Sequence, residues 1–389
     1  MVYDFDKVIQ RRGTNSVKFD LAEERGYPAD VLPMWVADMD FQAPPCVQEA
    51  LNAAIAHGIF GYTALDARYV DAVTGWFRKH FDWDVQPEWL LQTPTVVFAL
   101  SVAVAALTRP GDAVLVQPPV YYPFYRVTER NGRTLVESPL IYEDGIYRID
   151  YADFERKVVE NNVKMFILCS PHNPVCRVWT AEELERIGQI CAKHNVIVVA
   201  DEIHCDFTMP GHPHTPFVKA CPAMKDRTVV CTSPSKSFNL AGLQLSNIII
   251  PGQVLRDAYK KELDRLFIDG PNRLGMIACT AVYTAGEEWL EKCKAYMRGN
   301  LDYVRSFLKE NLPKIRLVEP EGTYFAWLDC SGLGLTAQEL DDIIIRKAKL
   351  WLDTGAMFGQ SADLFQRVVL ACPRSTVEEA MKRLKAALN

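Results

Sequence analysis

"TVVCTSPSKSFNLAGLQLSNIIIPG" runs from Thr228 to Gly252. Two short, continuous apolar runs bracket a turn of serines, prolines and small residues. Runs of that length between turn signals read as buried strands. Lys236 sits in the turn, and no acid stands within several positions of it. Surface lysines usually live among other charges. A desolvated lysine has a lowered pKa and can act as a nucleophile or Schiff-base partner. From these residues alone, an exposed loop lysine is an equally good reading, so the rest of the chain must decide.

The same pattern recurs outward from this stretch. "AVLVQPP" (Ala113 to Pro119), "VKMFILCSP" (Val163 to Pro171) and "VIVVADE" (Val196 to Glu202) are further apolar strands. Between them, "TPTVVFALSVAVAALTRPGD" predicts a buried helix, capped by Thr95 and ended at Pro110-Gly111. Thr180 and Glu183 form a capping box for the helix "AEELERIGQICAKHN". Residues from about Pro45 to Lys79 read as helical, interrupted by "GIFGYTALD". Apolar strands alternating with helices predict an α/β fold with a mostly parallel sheet covered on both faces. After about Ala285 long charged helices flank "GTYFAWLDCS" and "RVVLACPRS". The expected organisation is a large domain over 46–284 and a smaller α+β domain over 285–389, joined by the segment 1–45.

Length and composition agree with two domains. The chain has 389 residues, 49% of them apolar and 24% charged, which is ordinary for a globular protein. A net charge of −6 argues against broad nucleic-acid or anionic-membrane binding. No apolar run reaches transmembrane length, and "MVYDFDKVIQRRGTNS" lacks the apolar core of a signal peptide. None of the 11 cysteines forms a CxxC pair, and Cys169, Cys231 and Cys279 lie in apolar runs. They read as buried free thiols, so a cytoplasmic location is expected.

In open α/β sheets, ligands bind beyond the carboxyl ends of the strands. Those ends carry Asn173 in "SPHNP", Asp201 in "VADE", and Ser233, Ser235 and Lys236 in "TSPSK". The helix after Thr95 offers free N–H groups at Val96 and Val97, an anion site suited to a phosphate. A phosphate cradle, a carboxylate, an amide and an isolated lysine match the needs of pyridoxal phosphate. Its aldehyde takes a lysine, its ring nitrogen a carboxylate, and its phosphate hydroxyls and amides.

The chain resembles fold-type I pyridoxal-phosphate enzymes of the aminotransferase superfamily. Within them it is most similar to the MalY/PatB-like group of cystathionine β-lyases and cysteine-conjugate β-lyases. The resemblance spans nearly the whole chain. It is carried by "MWVADMDF", "GYT", "PPVYYPF", "SPHNPV", "ADEIHCDF", "GHPHTPF", "SPSKSFNLAGL" and "ACPRSTVEEA" in that order. It implies that Lys236 carries the cofactor and then shuttles the Cα proton, with Tyr121 and Tyr62 completing the catalytic set. It further implies that Asp201 pairs with the ring nitrogen, that Asn173 bonds the ring oxygen and that Tyr121 stacks on the ring. Val96, Val97, Ser233 and Ser235 would hold the phosphate. Tyr62 would reach across from the partner subunit of a homodimer with shared sites. Arg374 would clamp the substrate carboxylate, with Tyr122 and Asn173 beside it.

Three positions depart from the resemblance. Cys176 stands where the group carries glycine. His204, grouped with the cofactor-binding residues, replaces a tyrosine common in aminotransferases. Gln244 replaces a phosphate-binding arginine.

Two other motifs have plainer explanations. Gly332 to Ala337 matches a dinucleotide G-x-G-x-x-A, but Thr336 and Glu339 explain it as a capping box. His204, Cys205, Asp206, His212 and His214 fit no standard zinc spacing, so no metal is expected. The expected function is a C–S β-lyase acting on an amino-acid substrate, cystathionine or a related cysteine conjugate. The alternatives are an aminotransferase, or a regulatory protein that holds the cofactor and binds a transcription factor.

Overall fold

The apolar runs form a seven-stranded sheet in a computed structural model that describes residues 3–388. Residues 1, 2 and 389, at the outer ends of the expected N-terminal segment and C-terminal domain, lie outside the described residues. The strands are β1 (Leu90–Thr93), β2 (Ala113–Val116), β3 (Thr134–Glu137), β4 (Met165–Cys169), β5 (Ile197–Asp201), β6 (Thr228–Thr232) and β7 (Ser246–Ile249). Their order across the sheet is β1-β7-β6-β5-β4-β2-β3, and β7 alone runs antiparallel to its neighbours.

Successive side chains of a strand point to opposite faces. Here each face meets a layer of helices. Val114, Ile167, Val199 and Val229 pack with the helix Val96–Leu107 on one side. Leu115, Phe166, Val198 and Val230 pack on the other side with Leu184 and Ile187 of the helix Ala181–Lys193. That double cover explains why the central strands read as unbroken apolar runs. The sequence reading names no strand at β1 or β3. Both are edge strands with partly exposed residues, so neither carries a continuous run.

The C-terminal portion builds a four-stranded antiparallel sheet from β8 (Arg316–Val318), β9 (Phe325–Asp329), β10 (Asp353–Thr354) and β11 (Phe365–Val369), in the order β8-β9-β11-β10. Helices Glu287–Asn311 and Arg374–Leu388 bury Val304, Leu308, Val377 and Leu384 against it. The N-terminal segment reaches the same region. Leu32 and Pro33 pair with Leu350 and Trp351, and Trp35 stacks on Trp351 at 4.4 Å.

The Gly332–Ala337 motif resolves into a cap. Thr336 Oγ accepts from Glu339 N–H at 3.3 Å, and Glu339 Oε2 accepts from Thr336 N–H at 2.9 Å. The histidine-rich turn disperses its side chains: Asp206 accepts from Trp76 and Ser237, His214 lies 3.1 Å from Glu202, and His212 lies 3.8 Å from Glu321. Among the described residues, no helix is long and apolar enough to cross a membrane.

Candidate active site

A cavity of about 230 Å³ opens at the carboxyl ends of β4, β5 and β6. Its wall includes the start of the helix Val96–Leu107. Thr95 caps that helix by accepting from Phe98 N–H at 3.1 Å, which leaves the Val96 and Val97 N–H groups at the cavity edge. Tyr121, Asn173, Asp201, His204, Ser235 and Lys236 line the rest. The polar residues that the sequence places at separate strand ends therefore meet in one space.

The turn after β6 presents the lysine. Ser233 Oγ accepts from Ser235 N–H at 3.1 Å and donates to Leu245 O at 2.7 Å. Ser233 Oγ also lies 2.9 Å from Ser235 Oγ, so the two hydroxyls form one hydrogen-bonded pair at the cavity wall. Lys236 Nζ donates to Ala37 O at 2.8 Å. Burial lowers its pKa to about 8; the nearby Arg367 cation adds to the effect, while Asp38 and Asp201 oppose it.

Asp201 is buried, and its carboxylate accepts from Ile203 N–H at 3.1 Å. Burial raises its pKa to about 7, against the opposing pull of that hydrogen bond and of Lys236. A buried carboxyl group so weakly compensated calls for a cationic N–H partner, as a pyridinium would supply.

Asn173 is also buried. Its Oδ1 accepts from Arg367 Nη1 at 2.7 Å, so its amide hydrogens are free to donate into the cavity. Arg367 projects from β11 and is held by Trp35 O at 3.0 Å and by Asp353. Its guanidinium lies over Phe325 at 4.4 Å. Arg367 has no role in the sequence reading, although an arginine inside the buried strand "FQRVV" is itself a signal.

Arg374 is not part of this space. It opens the last helix and turns its Nε to Asn300 Oδ1 at 2.8 Å, with its guanidinium over Tyr303. The structure therefore does not bring Arg374 together with the other expected site residues. Seven residues separate an arginine inside a strand from one at the following helix start, and only the former bonds a residue of the cavity wall, Asn173.

The aromatic residues divide similarly. Tyr121 lines the cavity, and burial pushes its phenol pKa well up. Tyr122 sits one step outside, with its ring 5.4 Å from Tyr121 and 6.2 Å from Phe358. Tyr62 is fully exposed and does not line this cavity. His204 is buried between Tyr324 and Phe325, with no hydrogen-bond partner on its Nδ1. Burial and the cations Lys236 and Arg367 hold it neutral, well below its usual pKa.

Cys176 holds φ +62°, in the left-handed region that favours glycine, so this loop carries a side chain there. Gln244 also has positive φ, +47°, and does not line the cavity.

Comparison with known proteins gives this arrangement its context. The family model for aminotransferase class I and II matches residues 29–384. The chain belongs to the class I and II aminotransferase family. It is 44% identical to cystathionine beta-lyase PatB of Bacillus subtilis, over 99% of this chain and 100% of that one. Among solved structures it superposes on a pyridoxal-phosphate-bound putative aminotransferase from Clostridium difficile 630, with TM-score 0.97, 40% identity and full coverage of both chains. Cystalysin from Treponema denticola, whose structure contains pyridoxal 5′-phosphate, matches with TM-score 0.96 and 36% identity, covering 100% of this chain and 99% of that one. As a member of this family the chain has the fold of pyridoxal-phosphate enzymes, and its cavity fits that cofactor. The buried Asp201, the Asn173 amide held by Arg367, the helix start at Val96 and the half-buried amine of Lys236 are the groups it needs.

Proposed function

We propose that this family member is a pyridoxal-phosphate-dependent carbon–sulfur β-lyase. Its substrates are cystathionine or related cysteine S-conjugates, and its products are pyruvate, ammonia and a thiol. The observation that carries this reading is the Lys236 amine, poised with a pKa of about 8 beside buried Asp201 and the Asn173–Arg367 pair. The name of the PatB relative, a cystathionine beta-lyase, favours C–S cleavage over amino transfer.

Lys236 would hold the cofactor, which when bound would supply an electron sink for negative charge at the substrate Cα. Asp201 pairs with the ring nitrogen and keeps it protonated. Asn173 donates to the ring oxygen, and Tyr121 packs on the ring. Val96 N–H, Val97 N–H and the linked hydroxyls of Ser233 and Ser235 would hold the phosphate. Arg367 receives the substrate carboxylate, as its planar fork suits it to do. Lys236 Nζ, which lines the same cavity, would take up the Cα proton. The β-thiolate, with a pKa near 8.5, then departs readily. The Tyr121 phenol stays protonated and can donate to the leaving sulfur.

The proposed working unit is a homodimer in which Tyr62 completes the neighbouring site. Tyr62 protrudes from a loop that also exposes Ile59, Phe60 and Leu65, an apolar patch suited to a second copy of the chain. A division into residues 46–284 and a smaller unit of 1–45 with 285–389 is supported by the Leu32–Leu350 pairing. A cytoplasmic location fits eleven free cysteines, ten of them buried.

Pyruvate counted per active site tests the reaction. Cystathionine should give many turnovers without any keto acid. One equivalent or less, with steady turnover restored by 2-oxoglutarate, would replace the lyase with an aminotransferase.

A further inference from the structure

Residues Glu321–Thr323 form a strap between two loops that leave the large sheet. On one side, the N–H groups of Glu321 and Gly322 both donate to Cys176 O, at 2.9 and 3.0 Å. On the other, Met209 N–H donates to Glu321 O and Thr323 N–H donates to Phe207 O, both at 2.8 Å. The Glu321 side chain strengthens the first side. Its Oε2 accepts from Arg177 Nε at 2.7 Å and from Val178 N–H at 2.9 Å. Arg177 is buried and is held also by Glu183 and Tyr147 O.

What flanks this seam is the cavity. Asn173 lies three residues before Cys176. Tyr324 and Phe325 follow the strap and pack edge-on against His204, at 5.7 and 5.4 Å. Phe325 carries the Arg367 guanidinium, and the Tyr324 hydroxyl donates to Ala37 O at 3.4 Å, the carbonyl that also receives Lys236. The two halves of the Asn173–Arg367 contact thus come from opposite sides of the seam. Cys176 and Thr323, which face each other across it, both hold positive φ, +62° and +68°. Such non-glycine residues persist only where their surroundings fix them.

We infer that Glu321 is a positioning residue for substrate binding: through Arg177 and the Val178 N–H it locks the 173–178 loop to the strap and sets the register in which Asn173 meets Arg367. Glu321 touches nothing in the cavity itself. This rests on the reading of Arg367 as the carboxylate site. Glu321→Gln keeps an acceptor for Val178 N–H but can turn an amide donor toward the Arg177 donor.

The test uses the holoenzyme with cystathionine as substrate and propionate as an unreactive carboxylate competitor. Glu321→Gln should raise the cystathionine KM and the propionate Ki together by about tenfold, in the range of couplings carried by packed networks, with kcat changed less than about threefold. The cofactor absorption band should stay unchanged. Glu321→Asp, which keeps the charge, should fall between, and it carries the test if the glutamine variant does not fold. Leu384→Ala, in the distant core, should lower Tm without moving Ki. An unchanged Ki in the Glu321 variants, a fall in kcat alone, or an equal Ki rise in Leu384→Ala would overturn the inference. If Arg367→Lys also leaves Ki unchanged, the carboxylate assignment fails and takes the inference with it. If only Arg367→Lys raises Ki, the assignment survives and Glu321 has no positioning role.

Discussion

Asn173 Oδ1 accepts from Arg367 Nη1 at 2.7 Å, and this one bond orients both residues. It spends the amide's acceptor on the arginine, so the amide's donors face the cavity. It also anchors the guanidinium at one end, while Asp353 and Trp35 O hold the other. The buried Arg367 Nε has no partner on the protein. A buried donor left unpaired is costly, and a substrate carboxylate would relieve that cost.

Arg367→Ala should therefore reduce kcat/KM for cystathionine by about a hundredfold or more, the effect expected for a buried charge that meets an opposite charge. Arg374→Ala should leave KM within about threefold and lower stability by roughly 1 kcal/mol, through its lost bond to Asn300. Steady-state kinetics and urea unfolding of both variants check this. A large KM effect at Arg374 with none at Arg367 would reverse the assignment.

Asp201 gives a pH signature in the cofactor-free protein. Its folded pKa is raised to about 7 by burial. An unfolded aspartate titrates near 3.9, so between about pH 4 and 7 the folded chain binds the extra proton. Stability then falls as pH rises through that window. Asp201→Asn lacks the penalty. Cofactor-free Asp201→Asn should be more stable than wild type at pH 8, by roughly 2–4 kcal/mol, and the gap should close toward pH 4. Urea unfolding at several pH values measures it, and a gap independent of pH would contradict it.

Much of the fold is legible because the central strands are covered on both faces. β4, β5 and β6 read as plain apolar runs, and their ends point to Asn173, Asp201 and Lys236. Edge strands carry no such run, so β1 and β3 escape notice. Arg367 escapes for the opposite reason: its strand is apolar, and one charged residue inside it looks like a flaw in the pattern. Arg374 stands after a short turn at a helix start, where a ligand-binding arginine is easily imagined. Only tertiary packing shows that it turns back toward Asn300. Nor does any local pattern reveal that Ala37, 199 residues before Lys236, lends it a carbonyl.

Cys176 tests how strictly the 173–178 loop needs its positive φ. The thiol packs against Pro174 O and accepts from the Thr323 hydroxyl at 3.2 Å. Cys176→Val sets a β-branched residue in left-handed backbone and should cost about 2 kcal/mol or more. Cys176→Gly relieves the backbone but loses the thiol contacts, so it should stay within about 1 kcal/mol of wild type. If the valine variant unfolds at the same urea concentration as wild type, the loop is more adaptable than its bonds imply.

The shared site is the strongest claim about assembly, and a pair of variants can isolate it. Lys236→Ala removes the amine that carries the cofactor, so borohydride should no longer fix the cofactor to the protein. Tyr62→Phe leaves that amine intact but removes an exposed hydroxyl that does not line the cavity of its own chain. Each variant alone should be strongly impaired, for different reasons. In a mixed dimer, the site with Lys236 from the Tyr62→Phe chain receives Tyr62 from the Lys236→Ala chain and is wild type. The other site carries both changes. Mixing equal amounts after subunit exchange should therefore restore about a quarter of wild-type activity, because half of the dimers are mixed and each has one good site of two. Exchange itself is monitored with chains carrying distinct tags. Recovery would place Tyr62 in the partner's site. No recovery despite complete exchange would mean that the site is built within one chain and that Tyr62 takes no part in it.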